Sequence, residues 1–282
     1  MTSPKPLTSP QNRHIKAVTK LRRHRERRRS GLFIVEGVRD LTRALAAGLH
    51  MKQLFICPDL THADTQGFMR TLPGLHEAVR AGPLVFEITP ALMRMVAYRQ
   101  NPEGILALIE QPRPRLEDLP ITDNALFLVA VGTTKPGNLG AMARSAAAAG
   151  ASAVLVADAV VDPFNPNAIR ASTGAVFTLP VIEDTAAVIQ RFLIGRGVRV
   201  IAADVNAPSV YSEVDLAGPV AFIIGSEHIG LSEIWLGFPG GTSVAIPVLG
   251  RTVDSLNAST AAAVLLYEAV RQRRDKCRSM LN

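Results

Sequence analysis

The chain has 282 residues, 48% of them hydrophobic, and carries 31 Lys and Arg against 24 Asp and Glu, for a formal net charge of +7. That length and apolar content support a substantial buried core in one or two domains and exclude a disordered chain. No apolar run reaches the roughly 20 residues of a membrane span, and the polar start MTSPKPLTSPQNRH lacks the apolar centre of a secretory signal, so the reading is a cytoplasmic protein.

Residues 1–10, with Pro and Ser and no apolar period, read as a disordered leader. The next stretch, RHIKAVTKLRRHRERRRSG at 13–31, reads as a basic helix whose only acid is Glu26. A solvated helix face usually mixes signs, so this concentration of charge points to a phosphate-rich partner, and arginine suits forked contacts to phosphate. Through residue 112, strand-like and helical text alternates in LFIVEGVRDLTRALAAGL, KQLFICP, PLVFEITPALMRMV and GILALIEQP, which predicts a small α/β unit over 11–112. Three prolines and mixed charges in EQPRPRLEDLPITD then mark a linker at 113–123. Cys57 and Cys277 lie far apart and near no His cluster, which argues against a disulfide framework, a redox pair or a metal site.

From 124 to 282 the text changes to short, nearly uninterrupted apolar runs: ALFLVAVG, SAVLVAD, VFTLPVI, VRVIAADV, VAFIIGS and SVAIPVL. Strands buried on both faces read this way, so the fold class is α/β with a parallel sheet covered by helices. Ligands of such sheets bind beyond the carboxyl ends of the strands.

Four motifs fall at those ends. In KPGNLGAMARSAAAAGA, residues 135–151, Pro136, Gly137 and Gly140 suggest a turn with Asn138 capping the helix that follows, and Arg144 lies six residues on. A helix start offers unpaired N–H groups to an anion, although a capped helix with a surface arginine reads as readily. In NPNAIRASTGAVFTLPV, Arg170 precedes a small-residue turn at Ser172 to Ala175 that leads into a strand; it suits a phosphate, or solvent alone. AFIIGSEHIGLS ends a strand in Gly225, Ser226 and Glu227, with Gly230 closing a tight loop. Glu227 can take hydrogen bonds from an amine or ribose, or pair with an arginine. Finally, in SVAIPVLGRTVDSLNASTAAAVLLYEAVRQRR a strand ends near Ile246 and a long helix starts near Asn257. Ser255, Asn257, Ser259 and Thr260 crowd its start, and a cap needs only one of them. GxGxxG and Walker-type patterns are missing, which disfavours a dinucleotide fold or a nucleotide hydrolase.

Taken in order, NLGAMAR, RASTGAVF, IIGSEHIGL and IPVLGRTVDSLNASTAAAVLLYEA resemble the SpoU/TrmH family of SPOUT RNA 2′-O-ribose methyltransferases. Within it, the chain looks most similar to antibiotic-resistance rRNA methyltransferases of actinomycetes. The basic entry helix, GLFIVEG and QNPEGILALIE look like the L30e-like RNA-binding domain that often precedes this catalytic domain. The resemblance implies a deep trefoil knot at the C-terminal end, S-adenosylmethionine as cofactor, ribosomal RNA as substrate, and a homodimer through the C-terminal domain. Carried over position by position, it implies cofactor contacts at Ala203, Gly225, Ser226, Glu227, Gly230, Leu231, Ile246, Val248, Leu256 and Asn257. It places Asn138, Arg144, Glu227, Ser255 and Asn257 at the catalytic centre. Arg144 would act as base or as phosphate clamp; a guanidinium is nearly always charged, which favours the clamp. RNA contacts are expected from Arg13, Lys16, Lys20, Arg22, Arg23, Arg144 and Arg170, and no metal is expected. The loop from Ile246 to Leu256 looks one residue longer than in many relatives, which leaves Arg251 to Asp254 unassigned. A non-catalytic RNA-binding protein, a tRNA 2′-O-methyltransferase and a small-molecule transferase are the competing readings.

Overall fold

Every apolar run marked above as a strand contributes to one of two sheets. The computed structural model describes residues 5–62, 65, 67, 84–226, 229–250 and 252–280. The chain divides into one unit of residues 1–112 with 164–170, and a second of 113–163 with 171–282.

In the first unit, β1 (Lys5–Leu7), β2 (Leu32–Glu36), β3 (Met51–Ile56), β4 (Leu84–Ile88) and β5 (Ile105–Glu110) form a mixed sheet in the order β1-β4-β3-β5-β2. Lys5–Leu7 pair in parallel with Phe86–Ile88, so this part of the expected disordered leader is an edge strand. The backbone ladder, rather than an apolar period, holds it there. Residues 1–4 lie outside the described residues.

The basic stretch forms two helices rather than one, α1 (Arg13–Lys20) and α2 (His24–Ser30). The break has a visible cause. Arg27 is 1% exposed, and its Nη1 donates to the Leu21 and Arg22 carbonyls, at 2.7 and 3.0 Å. Those carbonyls sit at the end of α1, where helical partners run out. Ile15 and Val18 of α1 are fully buried beside Phe55, Phe86, Met93 and Leu106. Their periodicity sets Arg13, Lys16 and Lys20 on the opposite, exposed face. α3 (Val38–Ala46) and α4 (Pro90–Val96) are further helices of this unit. The two N-terminal motifs meet here. Glu36 accepts the backbone N–H groups of Tyr98 and Arg99, and Glu103 accepts that of Val38. Burial pushes the Glu36 carboxyl above its usual range, against the pull of those N–H groups.

The second unit holds seven parallel strands in the order β10-β12-β9-β11-β6-β7-β8. They are β6 (Leu126–Val131), β7 (Ala153–Ala157), β8 (Val181–Asp184), β9 (Arg199–Ala203), β10 (Ser209–Val210), β11 (Val220–Ile224) and β12 (Thr242–Ala245). The helices are α5 (Pro136–Ala148), α6 (Pro166–Ser172, which crosses the division between the units), α7 (Ala175–Thr178), α8 (Ala186–Gly195), α9 (Glu233–Leu236) and α10 (Ala258–Met280). β11 and β7 are buried at every residue, as expected of central strands covered on both faces. Two expectations change. VFTLPVI is part helix: Thr173 and Gly174 both take left-handed backbone, at φ 51° and 88°, and reverse the chain into α7 before β8 begins at Val181. The expected linker at 113–123 is packed, because Leu116 and Leu119 join the core of the second unit.

The C-terminal helix is tied down by two consecutive side chains. Arg273 donates to the carbonyls of Asn124, Ala125, Leu216 and Gly218, and Gln272 bridges the Val214 carbonyl and the Leu216 N–H. Partial burial lowers the Arg273 pKa.

Not all of the basic stretch is therefore available to a partner. Arg27→Met should lower the unfolding free energy by about 3 kcal/mol, since it strips a charged donor from two carbonyls. Replacing the exposed Arg28 in the same way should change it by no more than about 0.5 kcal/mol. Urea denaturation of the two variants checks this.

Candidate active site

Parallel strands bring the loops that follow β6, β9, β11 and β12 to one edge of the sheet. A cavity of about 430 Å³ opens there. Ala203 and Asp204 line it from the end of β9, Gly225, Ser226, Gly230 and Leu231 from beyond β11, and Ile246 and Val248 from beyond β12. Ser255 and Leu256 close it from the segment leading into α10.

The turn beyond β11 is built by close backbone approach. Ser226 and Gly230 form an isolated bridge, with the Gly230 N–H donating to the Ser226 carbonyl at 3.0 Å and the Ile229 N–H to Ser226 Oγ at 3.2 Å. A Cβ on Gly225 would lie 2.5 Å from the Gly230 carbonyl carbon and 2.9 Å from the Leu231 nitrogen. Only glycine lets the turn fold back over the strand end, and Gly230 itself needs φ of +70°.

A second hollow, lined by Thr133, Thr134, Lys135, Asn138, Gly225, Ser226 and Ala258, shares its last three residues with the cavity. It leads from the cavity to a polar cluster. Asn257 Nδ2 donates to Asn138 Oδ1 at 3.4 Å. Asn257 Oδ1 accepts from the N–H and the hydroxyl of Ser259, at 3.0 and 2.6 Å, so Asn257 is the N-cap of α10. Thr133 Oγ1 is buried beside this hollow without a hydrogen-bond partner among the described residues.

Of the ten residues expected at a cofactor, eight line the cavity: Ala203, Gly225, Ser226, Gly230, Leu231, Ile246, Val248 and Leu256. Asn257 sits at the cap instead, and Glu227 lies outside the described residues. Asn138 does not cap its helix. Pro136 takes the first helical position, which its fixed φ favours, so Asn138 falls inside the first turn with its side chain toward Asn257. Arg144, on the same helix, is exposed and has no hydrogen-bond or ion-pair partner among the described residues. Ser255 is exposed at the cavity wall.

The expected RNA contacts divide. Arg13, Lys16, Lys20 and Arg23 are exposed. Arg22 is committed elsewhere: its Nη2 donates to the Met95 and Ala97 carbonyls at 2.9 and 2.8 Å, and its guanidinium lies 5.4 Å from the centre of the Tyr98 ring. That geometry makes it a structural tie to the end of α4. Arg170 is exposed and donates to Asn167 Oδ1 at 3.1 Å. Sequence reasoning missed Asp204, Asn206, Ile229, Leu236 and Ala261 in the cavity wall. Asp204 carried a signal, as a carboxylate directly beyond the run VRVIAA; Leu236 and Ala261 reach the cavity from helices and carried none.

Residues 125–267, just over half the chain, match the SpoU rRNA Methylase family, and residues 12–107 match the MRM3-like substrate binding domain. Over 254 residues the chain is 30% identical to a 23S rRNA (uridine(2479)-2'-O)-methyltransferase of Streptomyces viridochromogenes, an alignment covering 88% of this chain and 85% of that protein. It is similar in structure to the SpoU methyltransferase AviRb of the same organism, solved in complex with the cofactor AdoMet, with TM-score 0.82 and 28% identity over 94% of this chain and 99% of that one. An AdoMet-bound rRNA methyltransferase of Sinorhizobium meliloti aligns with TM-score 0.84 and 28% identity, over 95% and 97% of the two chains. The match to the first family runs from β6 into α10, across every loop that lines the cavity, and the chain is a member of the SpoU rRNA methylase family.

Proposed function

We propose that this protein transfers a methyl group from S-adenosylmethionine to a ribose 2′-hydroxyl of ribosomal RNA, in the 23S molecule. The observation that carries the reading is the cavity at the strand ends, which continues through Gly225, Ser226 and Ala258 to Asn138 and Asn257. Its volume of about 430 Å³ and its mix of apolar and polar walls suit a nucleoside-sized ligand. Bound there, S-adenosylmethionine supplies an electrophilic methyl group on a sulfonium.

The chain's own residues then have to hold an RNA ribose in line and keep it there. Positioning of that kind supplies about 7–11 kcal/mol in the best intramolecular cases. Arg144, unpartnered among the described residues, clamps a phosphate next to the target ribose through its forked guanidinium. Asn257 ties the start of α10 to Asn138 on α5, so the helix that carries Arg144 and the loop that carries Ser255 and Leu256 are held in one arrangement. Glu227, expected at the same centre, and Ser255 complete the set.

Four finer statements belong to the same reading. The C-terminal segment threads the loop structure as a trefoil knot, with the Gln272 and Arg273 contacts holding the threaded helix. Two copies associate through the C-terminal unit, for which Ile229 and Leu249, 87% and 95% exposed in and beside the cavity loops, offer apolar surface. The protein works in the cytoplasm, where its RNA substrate is made. A role in protecting the ribosome from an antibiotic rests on the likeness to the actinomycete enzymes. Among the described residues, no helix is long and apolar enough to cross a membrane.

Arg144→Ala should reduce methyl transfer to rRNA by about 100-fold, the scale of losing one charge-stabilising donor, while leaving cofactor affinity within about twofold. Radiolabelled methyl incorporation and calorimetry read the two quantities, and transfer at the wild-type rate would refute the clamp. Changing Arg13, Lys16 and Lys20 together to Glu should weaken RNA binding and flatten the slope of log affinity against log salt by about 3. An unchanged slope would remove α1 from the RNA surface. Light scattering should give twice the 30.2 kDa chain mass, and a mass of one chain would refute the dimer.

A further inference from the structure

Asp204 is the only charged side chain among the described residues that line the cavity. Its neighbours there include Val205, Ile224, Leu231, Val244 and Ile246. One carboxylate oxygen, Oδ1, accepts the Asn206 N–H at 3.1 Å in a local turn, and the backbone N–H is spent on the Val244 carbonyl. No lysine, arginine or histidine among the described residues pairs with the carboxylate. A half-buried carboxylate with unused lone pairs and no counter-charge is costly beside apolar walls unless a ligand supplies donors.

The strand order says which donors. Along the sheet the loops run β12, β9, β11, β6, each neighbour about 4.8 Å from the next. The acceptor ribose has to meet the polar cluster beyond β6, so the reacting sulfur belongs at the end of β11, beside Gly225 and Ser226. The apolar wall made by Val244, Ile246 and Val248 lies in and beyond β12 and suits a planar base. In a nucleoside the sugar stands between the base and the 5′ substituent. The position between β12 and β11 is the end of β9, and Asp204 is there.

Resting on the cofactor reading above, we infer that Asp204 receives the 2′,3′-diol of the cofactor's ribose, its carboxylate accepting hydrogen bonds from the two hydroxyls. It is thus a specificity residue for a ribonucleoside cofactor. The alternative donor on the same molecule is the α-ammonium of the methionine tail, which the strand order disfavours and the test separates.

Calorimetry with the full-length protein uses three probes: S-adenosylhomocysteine, 5′-methylthioadenosine, which keeps the diol but has no ammonium, and the 2′-deoxy form of the latter. Asp204→Asn keeps the acceptor for the Asn206 N–H, and its urea midpoint confirms the fold. It should raise the Kd of the first two probes by a common factor of at least about tenfold. Loss of the 2′-hydroxyl should weaken binding to the wild type but make little further difference in Asp204→Asn. The wild-type comparison stands even if the variant folds poorly: equal affinity for the deoxy and ribo forms overturns the assignment. So does a loss confined to S-adenosylhomocysteine, which would put the carboxylate on the ammonium, and so do unchanged affinities in the variant. A wild type that binds none of the probes overturns the cofactor reading itself, and this assignment with it.

Discussion

Burial of the central strands on both faces is the constraint from which the site follows. A strand with no solvated face must be apolar at every position, and helices must cover it on either side. In sequence-consecutive order that is met by parallel strands with crossover segments, and parallel strands end at the same edge. The loops after β6, β9, β11 and β12 therefore converge without any contact between distant polar residues having to draw them together. The chemistry sits on the part of each strand where the apolar requirement lapses.

Convergence alone would leave an open edge, and two local devices turn it into a site. Gly230 comes back onto Gly225 at a distance no other residue tolerates, which makes a wall out of backbone. Asn257 then serves two elements at once, capping α10 through its Oδ1 and reaching Asn138 through its Nδ2. Its amide has both an acceptor and donors, so one side chain fills both roles. This resolves the crowd of polar residues ahead of α10. Asn257 and Ser259 account for the cap, and Ser255 faces the cavity.

The first unit shows how one composition conceals two uses of the same residue type. Its arginines look alike in the sequence, but Arg27 is buried against the carbonyls that end α1 and Arg22 is bound to the end of α4, whereas Arg13, Arg23 and Arg28 are exposed. Charge density alone overstates the surface offered to a polyanion. Helical phase was the readable part: Ile15 and Val18 mark the buried side of α1, which leaves Arg13, Lys16 and Lys20 facing out. The break at Leu21 was not readable, since what ends α1 there is a guanidinium folding back from the next helix. The same limit explains β1, whose three residues are held by the ladder to Phe86–Ile88 rather than by any pattern of their own.

The class of the second unit and the order of its motifs are legible in local text: continuous apolar runs, glycines at strand ends, and polar residues before a helix. Eight of the cavity's residues were reached through the resemblance that those motifs carry to a known family. Tertiary structure alone decided that Asn138 faces Asn257 from inside its helix, that Leu116 and Leu119 are core rather than linker, and that Leu236 and Ala261 belong to the cavity wall. It also decided that Asp204 is the one charged side chain among the described residues that line the cavity. These are relations between residues brought together by the packing of a sheet. Periodicity and propensity report the environment of a segment along its own axis; which remote segment supplies that environment is settled only when the strands are placed side by side.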